Sequence, residues 1–362
     1  MKDINRYNSG RQNELDIAKG LAVLFMVLVH FLLQFSSYAT QEESVYGQIV
    51  QFLGGIPAAP VFMFMLGVGI IYSRRNTPSI LIKRGATLII LGYLLNILRS
   101  VIPESINLLN GYSNYISLYE VFYDHFFYVD ILQFAGLALI LFSFVLAKDF
   151  SNKSLTAIGL FFMLSNYVLL PYSRYFVTPT SAPIVNLFVG GSGASYFPFL
   201  TWIIYPILGY LFGSYLIQTN NKVHFYKKIL IYSTGLLVIY ILGIFYLNFP
   251  TGYESDAIYY HHTFPITLFY SLFVLWWVSV LFFVSTKFTV LSYQHLINAS
   301  KYTTEIYFTH FVLMGILSIF LHSKLGTYAT ILASLLLYIM SYYLSMYYKN
   351  FQGKQKLEGV KE

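Results

Sequence analysis

Residues 15–30 read LDIAKGLAVLFMVLVH, and this stretch decides the class of fold. From Gly20 to Val29 no polar side chain interrupts the run, and beyond His30 it continues as FLLQF to Phe35. A membrane-spanning helix needs about 20 mostly apolar residues, and 15–36 meets that length. Nine further stretches do the same: 47–73, 79–101, 126–148, 153–172, 196–218, 226–248, 264–286, 303–322 and 326–348. Of the 362 residues 57% are hydrophobic and 10% charged, too apolar for a soluble globule of this size to bury. The expected fold is an all-α, polytopic integral membrane bundle of about ten transmembrane helices. No internal repeat, low-complexity segment or long polar insertion divides residues 1–362, so one transmembrane domain is expected.

The charges give the bundle a direction. With alternating sides and both termini in the cytoplasm, eighteen of the 22 lysines and arginines fall on the inner side. Only Arg99, Arg174 and Lys324 fall outside, and Lys19 lies within the first helix. This is the asymmetry of cytoplasmic loops. The outer loops carry acids instead: Glu42, Glu43, Glu104, Glu120, Asp124, Glu254 and Asp256. A net charge of +7 therefore reflects topology and gives no reason to expect nucleic acid. Lys2, Arg6 and Arg11 precede the first run without a small-residue cleavage site after it, so the run reads as a retained helix in the cell membrane. With no cysteine there is no disulfide, thiolate nucleophile or zinc-thiolate site. No spacing of metal ligands is visible, and no metal is expected.

Polar residues within a spanning helix are costly and mark function. Lys19 and His30 are eleven residues apart, three helical turns and roughly 16 Å of rise, so they share a face. Asp16 and Gln34 extend that stripe, which is expected to face the protein interior, with Gly20 admitting a neighbouring helix. His30 can take and return a proton near neutral pH or can bond another helix. Lys19 has a partner available in Asp16, or snorkels to the interface. Arg74, Arg75, Lys83 and Arg84 flank a short turn, as phosphate binding requires and as positive-inside topology also produces. At the outer entry to the fourth stretch, Glu120, Asp124, Asp130 and Gln133 gather near Asn96 and Arg99. Either an Arg99–Asp130 ion pair or a polar acceptor cleft fits. Glu305 and His310 do not align on one helix face. His261 and His262 are expected as unpaired loop residues, and Gly67 and Gly69 as packing glycines. The aromatic clusters at 112–128 and 253–264 suit an interfacial belt or sugar stacking.

The stretch 15–30 resembles the first helix of the transmembrane acyltransferase superfamily, which includes acyltransferase family 3 and the heparan-α-glucosaminide N-acetyltransferase-like group. In that pattern a basic residue stands eleven before a histidine; here Lys19 takes the place of arginine. The stretches APVFMFMLGVGIIYSRRN (59–76), LIKRGATLIILGYLLNILR (81–99), DILQFAGLALIL (130–141), FPFLTWIIYPILGYLFGSYL (197–216) and YTTEIYFTHFVL (302–313) resemble later helices in the same order. The resemblance implies transfer of an acetyl or other acyl group from acetyl-CoA in the cytoplasm to a glycan or lipid-linked sugar on the far side. It implies His30 as catalytic, with His310 the next candidate. Lys19, Arg74, Arg75, Lys83 and Arg84 are the expected donor contacts. Asp130, Gln133, Asp124 and Arg99 are the expected acceptor contacts. From the residues alone, a transporter or flippase of a lipid-linked sugar is the competing class.

Overall fold

The computed structural model describes residues 6–358, apart from 177, 179, 191, 192 and 288. Of the cations counted above, Lys2 and Lys361, with the side chains of Arg174, Lys354 and Lys356, lie outside the described residues. The first half of the chain forms α1 (Asn13–Phe35), α2 (Val45–Gly54), α3 (Ala59–Tyr72), α4 (Pro78–Asn96), α5 (Ile102–Leu109), α6 (Leu118–Phe126), α7 (Ile131–Ala147) and α8 (Asn152–Leu169). There follow α9 (Ser173–Phe176), α10 (Ala182–Phe188), α11 (Phe199–Trp202), α12 (Ile204–Gln218), α13 (Lys222–Leu247) and α14 (Asp256–Tyr260). The last four are α15 (Phe264–Ser285), α16 (Gln294–Lys301), α17 (Thr303–Phe320) and α18 (Thr327–Glu358). Among the described residues nine segments are long and apolar enough to cross a membrane, and α7 is a shorter apolar tenth.

Three boundaries differ from the hydropathy reading, each for a local reason. The stretch 47–73 breaks between α2 and α3, where Gly54, Gly55, Pro57 and Pro60 disfavour continuous helix. The stretch 126–148 becomes helical only at Ile131, because Asp130 caps α7 in a reciprocal capping box with Gln133. The stretch 79–101 continues past its expected end through a widened π-helical turn, Ile97–Val101, into α5. That turn carries Arg99, and π-turns recur at functional sites.

Helix α1 is central and touches α2, α3, α15, α16, α17 and α18. Gly20 is what brings α16 so close: a Cβ there would strike the backbone of Leu296. The α3–α12 pair packs through Gly67, against the Pro206 carbonyl, and Gly209, against that of Phe64. Small residues let membrane helices approach in this way. Gly69 is not a packing glycine: it is exposed, and open space surrounds the position of its missing Cβ.

Candidate active site

Two histidines meet at the end of the bundle where the acidic loops gather. His30, on α1, places Nδ1 3.0 Å from Nε2 of His310, on α17. His310 Nδ1 lies 3.0 Å from the carbonyl oxygen of Ile306, one turn earlier in its own helix. A carbonyl only accepts, so His310 carries its proton on Nδ1. In the neutral ring Nε2 is then an acceptor, and His30 must donate from Nδ1. The Nε2 atom of His30 is left with a free lone pair, the form a general base requires. Packing holds the ring further: the two imidazoles lie edge to edge, centroids 5.3 Å apart and planes within 9° of parallel, and the Phe311 ring lies 4.6 Å from His30.

Beside this dyad sits a buried ion pair. Arg99 binds Asp130 Oδ2 through one nitrogen and the Asn96 side-chain oxygen, at 3.0 Å, through another. Asn96 in turn donates to the carbonyls of Phe126 and Tyr128 at 2.9 and 2.8 Å. The other Asp130 oxygen accepts from the Ile131 N–H at 2.6 Å. Gln133 accepts from Asp130 N and donates to the Tyr128 carbonyl, so both ends of its amide serve the backbone. The Arg99 guanidinium also lies 4.5 Å over the Phe311 ring. The network thus fixes the loop 126–130 to α4 and aims one charged pair at the dyad.

Two adjoining cavities, about 310 and 330 Å³, meet at His30. Both are walled by His30, Asp130, Phe197, Asp256 and Tyr260. The first adds Glu42, Glu254, Tyr253, Tyr259 and Tyr307; the second adds Arg99, His125, Tyr128 and Tyr196. Tyr307 stands in the Tyr-x-x-His pattern that 302–313 shows in the sequence, but sequence reasoning assigned it no place in the site. Its hydroxyl is buried near Asp130.

The loop 251–262 closes the first cavity and is itself pinned. Glu254 accepts from Thr251 N and Gly252 N at 2.6 and 2.8 Å, and Gly252 holds the turn at φ 85°. Partial burial would raise the Glu254 carboxyl, but these hydrogen bonds hold it below its ordinary pKa. Tyr253 and Tyr259 donate to the carbonyls of Phe52 and Gly55, and Trp202 donates to that of Tyr260 at 2.9 Å. His262 is not an unpaired loop residue. It is fully buried, with Nδ1 2.8 Å from the Tyr259 carbonyl and Nε2 2.7 Å from the Tyr205 hydroxyl. Burial lowers its pKa to about 4, so the ring is neutral.

The remaining predicted residues lie apart from this cluster. Asp124 is exposed, beside Tyr115, and lines neither cavity. Gln34 is exposed at the edge of the second cavity and does not face the interior. Asp16 is taken by Arg11 at 2.5 Å and the Ser300 hydroxyl at 2.8 Å, so it is not the ion-pair partner of Lys19. Lys19 lies within the fields of Asp16, Glu305 and Arg84. Glu305 pairs with Lys349 at 2.6 Å. Arg74, Arg75, Lys83 and Arg84 are exposed at the opposite end of the bundle, and no ion pair engages them among the described residues. Neither cavity is lined by these four or by Lys19.

A family model described as heparan-alpha-glucosaminide N-acetyltransferase, catalytic, matches residues 11–248. No curated protein matches the chain. The matched segment includes α1 with His30, the basic turn, Arg99 and Asp130, and it covers more than half of the chain. The chain therefore belongs to the heparan-α-glucosaminide N-acetyltransferase catalytic family and is a multi-pass membrane acetyltransferase.

Proposed function

We propose that this protein moves an acetyl group from acetyl-CoA, held at the basic, cytoplasmic end, to an amine or hydroxyl of a glycan or lipid-linked sugar that enters at the acidic end. One observation carries the reading: His30 stands at the junction of the two cavities with Nδ1 committed to His310 and Nε2 free. When bound, acetyl-CoA supplies a thioester carbonyl open to attack. His30 Nε2 takes the proton of the acceptor N–H or O–H as that atom bonds to the carbonyl carbon. The carbon–sulfur bond breaks, and the sulfur leaves as the thiol of CoA with a proton returned to it. His310 keeps the His30 ring in the reactive tautomer. The Arg99–Asp130 pair, braced by Asn96 and Gln133, positions the acceptor wall. Asp124 lies on the approach to the cleft.

Arg74, Arg75, Lys83 and Arg84 suit the phosphates of CoA: four exposed cations on one short turn and helix start, with no carboxylate neutralising them. Lys19, three turns before His30 on α1 and within the field of Arg84, adds a further cation on the donor side of His30.

The test uses purified protein in sealed vesicles, with labelled acetyl-CoA on one side and glucosamine on the other. Labelled N-acetylglucosamine is expected across the membrane from the donor. Label that forms only when donor and acceptor share a side would overturn the transmembrane reading. Absence of CoA-dependent label under either arrangement would overturn the reaction.

A further inference from the structure

The dyad and the buried ion pair stand on different elements. His30 and His310 come from α1 and α17, Arg99 from the π-helical turn Ile97–Val101 and Asp130 from the cap of α7. One ring meets three of these four groups. Phe311, next to His310 in α17, has its ring centroid 4.6 Å from that of His30 and 4.2 Å from that of His310. The Arg99 guanidinium stands over the same ring, 4.5 Å from its centroid. A cation at that distance is attracted to the electron-rich face of an aromatic ring. Phe311 therefore packs on the histidines and holds the charge, and its place sets how far apart they stand.

The place of Phe311 is set in turn by Gly315, one helical turn further along the same face of α17. A Cβ on Gly315 would stand 2.8 Å from Arg99 Cα, 2.9 Å from the Arg99 carbonyl oxygen and 3.0 Å from that of Leu98. All three are backbone atoms, so no side-chain rotation could make room. Helix α17 thus rests directly on the π-helical turn. Its two contacts are with the two ends of one residue: Gly315 meets the Arg99 backbone, and Phe311 meets the Arg99 guanidinium. A methyl group at position 315 would lift α17 off the turn and shift Phe311 relative to Arg99.

We propose that Gly315 and Phe311 are positioning residues of the transfer reaction. Gly315 seats α17 on the π-helical turn, and Phe311 uses that seat to hold the His30 ring at a fixed distance from the Arg99–Asp130 pair. Neither residue can give or take a proton; both act through His30, so the inference rests on His30 as the base proposed above. Both lie outside residues 11–248, the segment matched by the family.

The experiment is a double-mutant cycle on the purified, full-length protein in detergent, with acetyl-CoA and glucosamine. Phe311→Leu keeps an apolar side chain but removes the ring, and Gly315→Ala adds one methyl group. Each should lower kcat about 10- to 100-fold, the scale of a ~1 Å displacement at a reacting group, and leave the KM for acetyl-CoA unchanged. Because Gly315 acts through Phe311, the double variant should be no slower than Phe311→Leu alone. Losses that multiply would give Gly315 a separate role and overturn the proposal, as would normal kcat in either folded variant. Should Gly315→Ala fail to fold, Phe311→Tyr decides. It keeps the ring face and should restore most of the kcat that Phe311→Leu loses; equal losses in the two overturn the proposal. If the unaltered protein transfers no acetyl group, the failure belongs to the proposed reaction. The positioning is then read from carbethoxylation of His30 by diethyl pyrocarbonate, located by peptide mass spectrometry. Faster labelling in Phe311→Leu than in the unaltered protein supports it; equal rates overturn it.

Discussion

The two ends of the bundle are built on opposite principles. At the acidic end four groups that frame the cavities are held by neighbours: Arg99 by Asp130 and Asn96, His30 by His310, Glu254 by Thr251 and Gly252, His262 by Tyr205 and Tyr259. At the basic end Arg74, Arg75, Lys83 and Arg84 stand in the open without ion-pair partners among the described residues. A preformed site loses little entropy on binding and reads shape. A set of free cations attracts an anion of variable pose through the field alone. The difference teaches that geometric selectivity resides with the acidic end, whereas the basic end relies on charge.

That contrast is open to attack at several points. The largest effect is expected at the buried pair. Arg99→Leu leaves the Asp130 carboxylate unpaired, which should destabilise the protein by about 3–5 kcal/mol, read as a lowered unfolding temperature in detergent. A variant as stable as the parent would show that the acidic end is not prearranged by this pair. His30→Gln comes next. An amide can bridge to His310 but cannot carry a proton, so transfer should fall at least ~100-fold while acetyl-CoA still binds. Near-normal transfer would make His30 a packing residue.

The basic end should respond differently. Replacing Arg74, Arg75 and Arg84 together by Gln should leave stability within about 0.5 kcal/mol of the parent. Acetyl-CoA affinity should weaken about tenfold, with high salt imitating part of the loss in the parent. Unchanged affinity would return these residues to topology alone. The smallest effect is a pH response confined to the acidic end. The folded pKa of His262, about 4, lies below its ordinary 6.5. Between those values the unfolded chain binds the extra proton, so stability is complete above pH 6.5 and declines as pH falls toward 4. His262→Gln, which can keep both hydrogen bonds, should flatten that decline; an identical decline would assign it to other groups.

The helical class and approximate span number were legible because they follow from bulk quantities: runs of apolar residues and the distribution of lysine and arginine. The breaks were less legible. Gly54–Pro60 does carry its own warning in glycine and proline, but the late start of α7 depends on a capping box within one apolar run. In the site, His30 stood out from its helix because a histidine in an apolar run has few other uses. Its pairing with His310 did not, because 280 residues separate them and no local spacing encodes the register of α1 against α17. Tyr196 was hidden for the same reason: its place beside Tyr128 is made by a backbone bridge between Val129 and Ser195, in distant loops.

The match to the family ends at residue 248, yet α17, with Thr303–Phe320, supplies the only hydrogen bond found for the His30 ring among the described residues. The proposed chemistry is therefore divided between two stretches of chain. A fragment trimmed to the matched segment retains His30, the proposed base, and loses the carbonyl-anchored ring of His310 that dictates where its proton sits. Co-expression of the trimmed fragment with the remaining helices offers a way to switch the tautomer on by assembly, with covalent continuity at residue 248 dispensable in principle.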